Sequence, residues 1–139
     1  MKIFNTSKLV KSEDLNHHGT LFAGRLAEWF IEGAFITAAG IFGDPSGLVC
    51  KKLHGLAFNA PVKKGAIINL ETKLVLVGTT SIKVYGKVTK VNGTESLVDG
   101  FVTFVCVDEN GKKKAHGLLQ PKAQNEEDKR LIEIAKKLR

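Results

Sequence analysis

Arg25, Glu28 and Glu32 are the only charged side chains between Leu21 and Phe42, a stretch otherwise filled by Leu, Phe, Trp, Ile, Thr and small Ala and Gly. Steps of three and four residues put all three on one stripe of a helix. A carboxylate among apolar neighbours costs on the order of several kcal/mol unless it is paired or wet. Glu32, beside Phe30, Ile31 and Phe35, must therefore meet something polar. Two readings fit: an Arg25–Glu28–Glu32 ladder along a solvated seam, or a cleft in which Glu32 serves as base or nucleophile.

Asn16-His17-His18-Gly19-Thr20 lies just before this stretch. The first backbone N–H groups of a helix have no intrahelical acceptor and favour negative charge. Such a terminus can hold an oxyanion, one donor being worth about 3 kcal/mol in a transition state. Equally, Thr20 or Asn16 could cap the first turn. Adjacent histidines in a loop point apart, and no carboxylate is spaced to complete a metal site. His17 and His18 are read as structural or substrate-contacting rather than catalytic, and His54 and His116 as sheet residues with their hydrogen bonds made. No serine nucleophile elbow, phosphate loop or dinucleotide signature is present.

These groups need a frame. Leu21–Phe42 is apolar on every side, which implies a helix buried on every side, and Gly43-Asp44-Pro45-Ser46-Gly47 stops it. Lys2–Val10 reads as an edge strand. Leu48–Phe58, Ala66–Val77 (Leu70, Thr72, Leu74 and Leu76 on one face), Ser81–Val91, Glu95–Asp108 and Lys112–Leu119 read as strands of an antiparallel meander. Asn92-Gly93 marks a type I′ hairpin. Asn125–Arg139 has helical spacing, with Glu126, Glu127 and Asp128 in its first turn. The expected architecture is α+β, a curled antiparallel sheet around one long helix, as a single domain over 1–139 with a helical tail from about 125.

The chain is 43% hydrophobic and 25% charged, as an ordinary globular domain is. Nothing in it is long and apolar enough for a bilayer or a secretory signal, so the cytosol is the expected address and no membrane partner is expected. Cys50 and Cys106 lie in apolar strand-like runs and are read as buried free thiols. The net charge of +7 is scattered; it suits an anionic small molecule without the basic stripe of a nucleic-acid binder.

Asn16-His17-His18-Gly19-Thr20-Leu21-Phe22-Ala23-Gly24, continuing to Trp29-Phe30-Ile31-Glu32-Gly33-Ala34, resembles the acyl-CoA thioesterases of the hot-dog superfamily, most closely the cytosolic acyl-CoA hydrolase branch. His54-Gly55-Leu56-Ala57-Phe58 with Pro61-Val62 and Gly65 is similar to that family's second-strand motif, and Gly78-Thr79-Thr80-Ser81 to its G-x-T-S turn. The resemblance implies a hot-dog fold and hydrolysis of an acyl-CoA thioester without metal or redox cofactor. It puts Asn16 where the family orients thioester or water. Ala23 and Gly24 fall where backbone N–H groups polarise the carbonyl. The acid is assigned to Glu32, with Glu28 as fallback, although many relatives carry it one residue earlier, where this chain has Ile31. His17, His18, His54, Thr79, Thr80 and Ser81 become substrate contacts, and Lys51, Lys63, Lys64 or Lys83 would meet the phosphates of CoA. Self-association as a dimer, tetramer or hexamer is implied, with Asn16 of one copy working beside Glu32 of another. An acyl-CoA sensor and an acyl-carrier-protein thioesterase are the alternatives. A dehydratase would need a histidine paired with an acid on the helix, and none is there.

Overall fold

A computed structural model describes residues 1–139. Five strands form one antiparallel sheet: β1 (Ile3–Leu9), β2 (Leu48–Phe58), β3 (Ile67–Val77), β4 (Ser81–Lys90) and β5 (Val98–Cys106). The long helix α1 (Ala23–Phe42) lies in its concave face and a shorter one, α2 (Glu126–Lys137), on its outer face. This is the curled sheet around a central helix that the residue pattern predicts.

Small residues let α1 sit deep in the sheet. A Cβ on Gly33 would stand 2.3 Å from Leu70 Cδ2 of β3, and one on Gly86 of β4 would stand 2.9 Å from the Phe30 ring. Phe30, Ala34 and Thr37 are fully buried, and Thr37 shares a hydrogen bond of 2.5 Å with Thr72 of β3. Gly43 ends the helix in the left-handed region, at φ 92°, and donates to Ala39 O. The helix is not buried all round, however. Glu28, Glu32, Ile36 and Gly40 are exposed in the single chain, because one sheet can cover only one side of a cylinder.

The spatial strand order is β1-β3-β4-β5-β2. Only β3, β4 and β5 follow one another as a meander; β2 pairs with β5, Leu48 opposite Cys106, at the far edge. The chain from Phe58 must therefore cross to β3 past the start of α1. It is held there by Leu21 N–H to Val62 O (2.8 Å) and Gly65 N–H to Val10 O (2.8 Å). This crossover builds the site described below.

Several local expectations change. The register shift between Leu74 and Leu76 turns Leu76 to the outer face, where it packs with Val75 under α2. Asn92 alone takes a positive φ, 65°, at the third residue of a Lys90–Gly93 turn. That is the position a type II turn requires, so the connection is not type I′ and β5 starts at Val98. Lys112–Leu119 is not a regular strand: it turns back for a single bridge, Lys113 opposite Val107 with Lys114 N–H to Cys106 O (2.9 Å), because β4 and β2 flank the rest of β5. The segment runs as a strap pinned by His116, whose Nε2 lies 3.0 Å from Ser81 O and whose Nδ1 accepts from Leu118 N–H. Cys106 is buried, but Cys50 is exposed on the bulged edge strand β2.

Candidate functional site

Asn16 organises the loop before α1. Its Oδ1 accepts from the N–H groups of His18 (2.9 Å) and Thr20 (3.2 Å), while Nδ2 donates to Thr20 Oγ1 at 3.1 Å. The amide carries two N–H bonds, so one Nδ2 proton has no acceptor in the chain. Below it, buried Asp14 accepts from Lys11 N–H (2.9 Å) and faces Arg25 Nε at 3.3 Å, while its carbonyl accepts from Phe22 N–H at 2.8 Å.

That bond at Phe22 is the last before the helix. No side chain caps α1, and the N–H groups of Ala23, Gly24 and Arg25 find no acceptor in the chain. The capping alternative therefore does not hold: Asn16 and Thr20 bond each other and leave the amides open. The exposed Phe22 ring lies over Gly24, where a Cβ would stand 2.5 Å from Phe22 Cε2.

The first of these residues, Ala23, lines a cleft of about 290 Å³ together with Asn16, Leu26, Phe58, Asn59 and Pro61, among others. The loop, the helix start and the Phe58–Val62 motif, far apart in sequence, are thus one site. Its walls are mainly apolar, and its polar groups are the Asn16 amide, the helix N–H groups and Asn59. Asn59 went unnoticed in the sequence; it is fixed by its N–H to Leu97 O (2.8 Å) and its Nδ2 to Ser96 O (3.2 Å). Its only sequence signal is its place between Phe58 and Pro61 of the second-strand motif.

Neither candidate carboxylate lines this cleft. Glu32 is exposed and borders a slot of about 10 Å³ on the other flank, beside Thr6, Lys8, Trp29 and Leu70. Glu28 is exposed, with Arg25 Nη1 at 3.5 Å. The ladder is thus an Asp14–Arg25–Glu28 chain that leaves Glu32 out.

The remaining candidates divide. His17 and His18 are exposed, and their rings lie 3.9 Å apart centroid to centroid rather than pointing apart. Lys63 follows the cleft wall and bridges to Thr20. His54, Ser81, Lys51 and Lys83 meet on the outer face of the sheet with Lys52, Thr103 and Arg139, in a pocket of about 180 Å³. There His54 Nε2 lies 2.6 Å from Thr103 Oγ1, and Lys83 donates to Ala135 O and Leu138 O at the end of α2. Burial and the neighbouring lysines hold His54 below the usual imidazole range; burial, with Lys51 and Lys52, lowers Lys83. Thr79 and Thr80 form the adjoining turn, their carbonyls committed to His116 N–H and Cys106 N–H. In one chain this pocket opens away from the cleft at the start of α1.

Comparison with known proteins gives a consistent family. The model of the thioesterase superfamily matches residues 18–97. The uncharacterized acyl-CoA thioester hydrolase YkhA of Bacillus subtilis is 32% identical over 129 residues, covering 86% of this chain and 74% of its own. A hexameric acyl-CoA thioesterase solved without ligand is 31% identical, with a TM-score of 0.85 over 96% of this chain and 86% of that one. The acyl-CoA hydrolase of Staphylococcus aureus, solved with butyryl coenzyme A and coenzyme A, is 25% identical, with a TM-score of 0.84 over 96% and 79%. It was also solved as asparagine-to-alanine and aspartate-to-alanine mutants, the two replaced residues lying fifteen positions apart.

Proposed function

Because the chain belongs to the thioesterase superfamily, we propose that the cleft at the start of α1 hydrolyses the thioester of an acyl-CoA to the free acid and CoA. It is a thioester hydrolase, and one observation supports the cleft most: Ala23, whose N–H is unsatisfied, lines a mainly apolar space beside Asn16, and the open N–H of Gly24 follows it on the first turn. The thioester carbonyl oxygen lies against those amides, which stabilise the negative charge that develops on water attack. The spare Nδ2 proton of Asn16 orients the water or the carbonyl. A carboxylate from the outward side of α1, where Glu28 and Glu32 stand, takes the proton from water.

The working unit is an oligomer. β2 is an open sheet edge with Val49 and Phe58 exposed, and an uncovered edge is a liability that a second copy removes. Relatives whose assembly is described are hexameric. Pairing of β2 with β2 sets the helices side by side and closes each cleft with the neighbouring copy. The phosphates of CoA meet Lys63 and Lys64 at the cleft rim and the cationic pocket of Lys51, Lys83, His54 and Ser81, with Thr79 and Thr80 beside it.

The direct test is thiol release from acetyl-, hexanoyl- and palmitoyl-CoA, alongside sedimentation of the protein. Turnover of at least one substrate by an oligomer supports the reading. Tight binding of every substrate with no turnover would replace it with the acyl-CoA sensor.

A further inference from the structure

Helix geometry separates the two carboxylates. Gly24, Glu28, Ile31 and Phe35 recur at steps of four, three and four residues, so they share one stripe of α1. The Phe35 end of that stripe packs edge-on to Phe104 of β5, with ring centroids 5.6 Å apart. Gly33 and Gly40 face the opposite flank, against Leu70 of β3 and Phe4 of β1. Since β5 pairs with β2, and Phe58 at the end of β2 is a wall of the cleft, the stripe lies on the β2–β5 flank of the helix, whereas the helix residues that line the cleft within one chain are Ala23 and Leu26. Glu32 is rotated by about 100° from Ile31 and borders the narrow slot against β1 and β3.

Asn16 and Ile31 keep the fifteen-residue spacing of the asparagine and aspartate replaced in the S. aureus enzyme. At that position this chain has no acid. Glu28 lies on the same stripe, one position of the stripe nearer the open amides, and about 6 Å along the axis from Gly24. Helix side chains lean toward the N-terminus, which carries the Glu28 carboxylate toward Gly24. Its side chain is 70% exposed in the single chain, and Arg25 is its only ionic partner, so no buried contact holds it in place.

We propose, resting on the hydrolase reading above, that Glu28 and not Glu32 is the catalytic carboxylate, replacing an acid lost at Ile31. Its carboxylate takes a proton from water as the water oxygen bonds to the thioester carbon. The carbonyl electron pair moves onto oxygen and is held by the N–H groups of Ala23 and Gly24. When the carbonyl re-forms, the C–S bond breaks and Glu28 returns the proton to the departing sulfur. The products are acid and thiol, and the carboxylate is regenerated.

The test compares wild type, E28Q, E32Q, I31D and E28Q/I31D on the same three acyl-CoA substrates. General-base loss typically costs about 10²–10⁴-fold. E28Q is expected to lower kcat at least about a hundredfold with KM little moved and to lose the acid limb of the pH profile. E32Q should change kcat less than about threefold, and I31D should return at least about tenfold to E28Q. Because Glu28 is exposed, E28Q should melt as wild type does, which separates lost catalysis from lost fold. A large loss in E32Q with E28Q active, or an active wild type untouched by E28Q, overturns the assignment. A wild type inert toward all three substrates removes the hydrolase reading itself, and this assignment with it.

Discussion

Asn16 and Thr20 close the loop before α1 on each other: Asn16 Oδ1 accepts from Thr20 N–H at 3.2 Å, and Asn16 Nδ2 donates to Thr20 Oγ1 at 3.1 Å. The side chains that could have capped the helix are thereby occupied, and its first amides stay open. Bracing and catalysis can be separated. Asn16→Ala removes the acceptor of two backbone N–H groups and should cost about 1–2 kcal/mol of stability, with kcat at least about tenfold lower. Asn16→Asp keeps the acceptor, loses both side-chain N–H bonds, the Thr20 hydroxyl remaining able to donate to it, and places a negative charge where the oxyanion forms. It should melt near wild type in a thermal scan and still lose at least about tenfold in kcat. An active N16D would reduce Asn16 to a loop brace.

Gly24 offers a stability–activity trade. Glycine inside a helix is about 0.5–1 kcal/mol worse than alanine. The atom a new methyl meets, Phe22 Cε2 at 2.5 Å, belongs to an exposed ring that can move outward. Gly24→Ala should therefore raise the melting temperature. The displaced ring and the methyl crowd the open amides, so kcat should fall at least about tenfold. A stabilised variant with full activity would show that substrate does not approach the helix at Gly24.

The sequence carried the central helix, its stop at Gly43, the outer helix and the closeness of Asn16 to the helix start, because local spacing determines each of them. It did not carry the position of β2. Which free edge a strand takes depends on where the others have gone, and Leu48–Phe58 is as able to pair with β3 as with β5. The strap at Lys112–Leu119 has a strand's pattern for the same reason: its residues allow pairing, but past the one bridge of Lys113 to Val107 both sides of β5 are taken. Glu28 and Glu32 show the limit most clearly. Periodicity gives the angle between them, whereas the flank of α1 that meets β1 is fixed by Gly33 and Gly40 resting on Leu70 and Phe4.

His54 should titrate below 6.5, because burial, then Lys83 and Lys52, disfavour its charged form. Between that lowered value and 6.5 the unfolded chain binds more protons than the folded one. The contribution of His54 to stability is therefore complete above 6.5 and declines as pH falls through this window. Histidine NMR resonances followed from roughly pH 8 to pH 5 should locate the midpoint. If the pocket takes a phosphate of CoA, saturation with CoA should raise the midpoint, and CoA should bind more tightly toward low pH. A midpoint unmoved by CoA would exclude this pocket from the binding site.

Lys73 and Asp128 join α2 to the sheet through a buried ion pair of 2.6 Å. Asp128 also accepts from Gln124 N–H at 2.9 Å and donates its own N–H to Asn125 Oδ1 at 2.8 Å, so the pair is tied to the first turn of the helix. Burial opposes the ionised carboxylate, but the Lys73 hydrogen bond and the Gln124 amide outweigh it, and Asp128 is held below its ordinary value of 3.8. The contribution of Asp128 is thus complete above 3.8 and is lost as pH falls through the lowered folded value. Lys73→Met strands a buried carboxylate and should cost about 3 kcal/mol. The double variant Lys73→Met with Asp128→Leu should recover much of that, since it removes both desolvated charges, although the helix loses the Gln124 bond. Urea titrations of the wild type, both single variants and the pair give the coupling energy. Because α2 lies on the face of the sheet opposite the cleft, while its end holds Lys83 of the cationic pocket, kcat of the folded fraction should stay near wild type in all of them and any change should fall on KM. A loss of kcat in variants that remain folded would show that the outer helix shapes the cleft through the sheet.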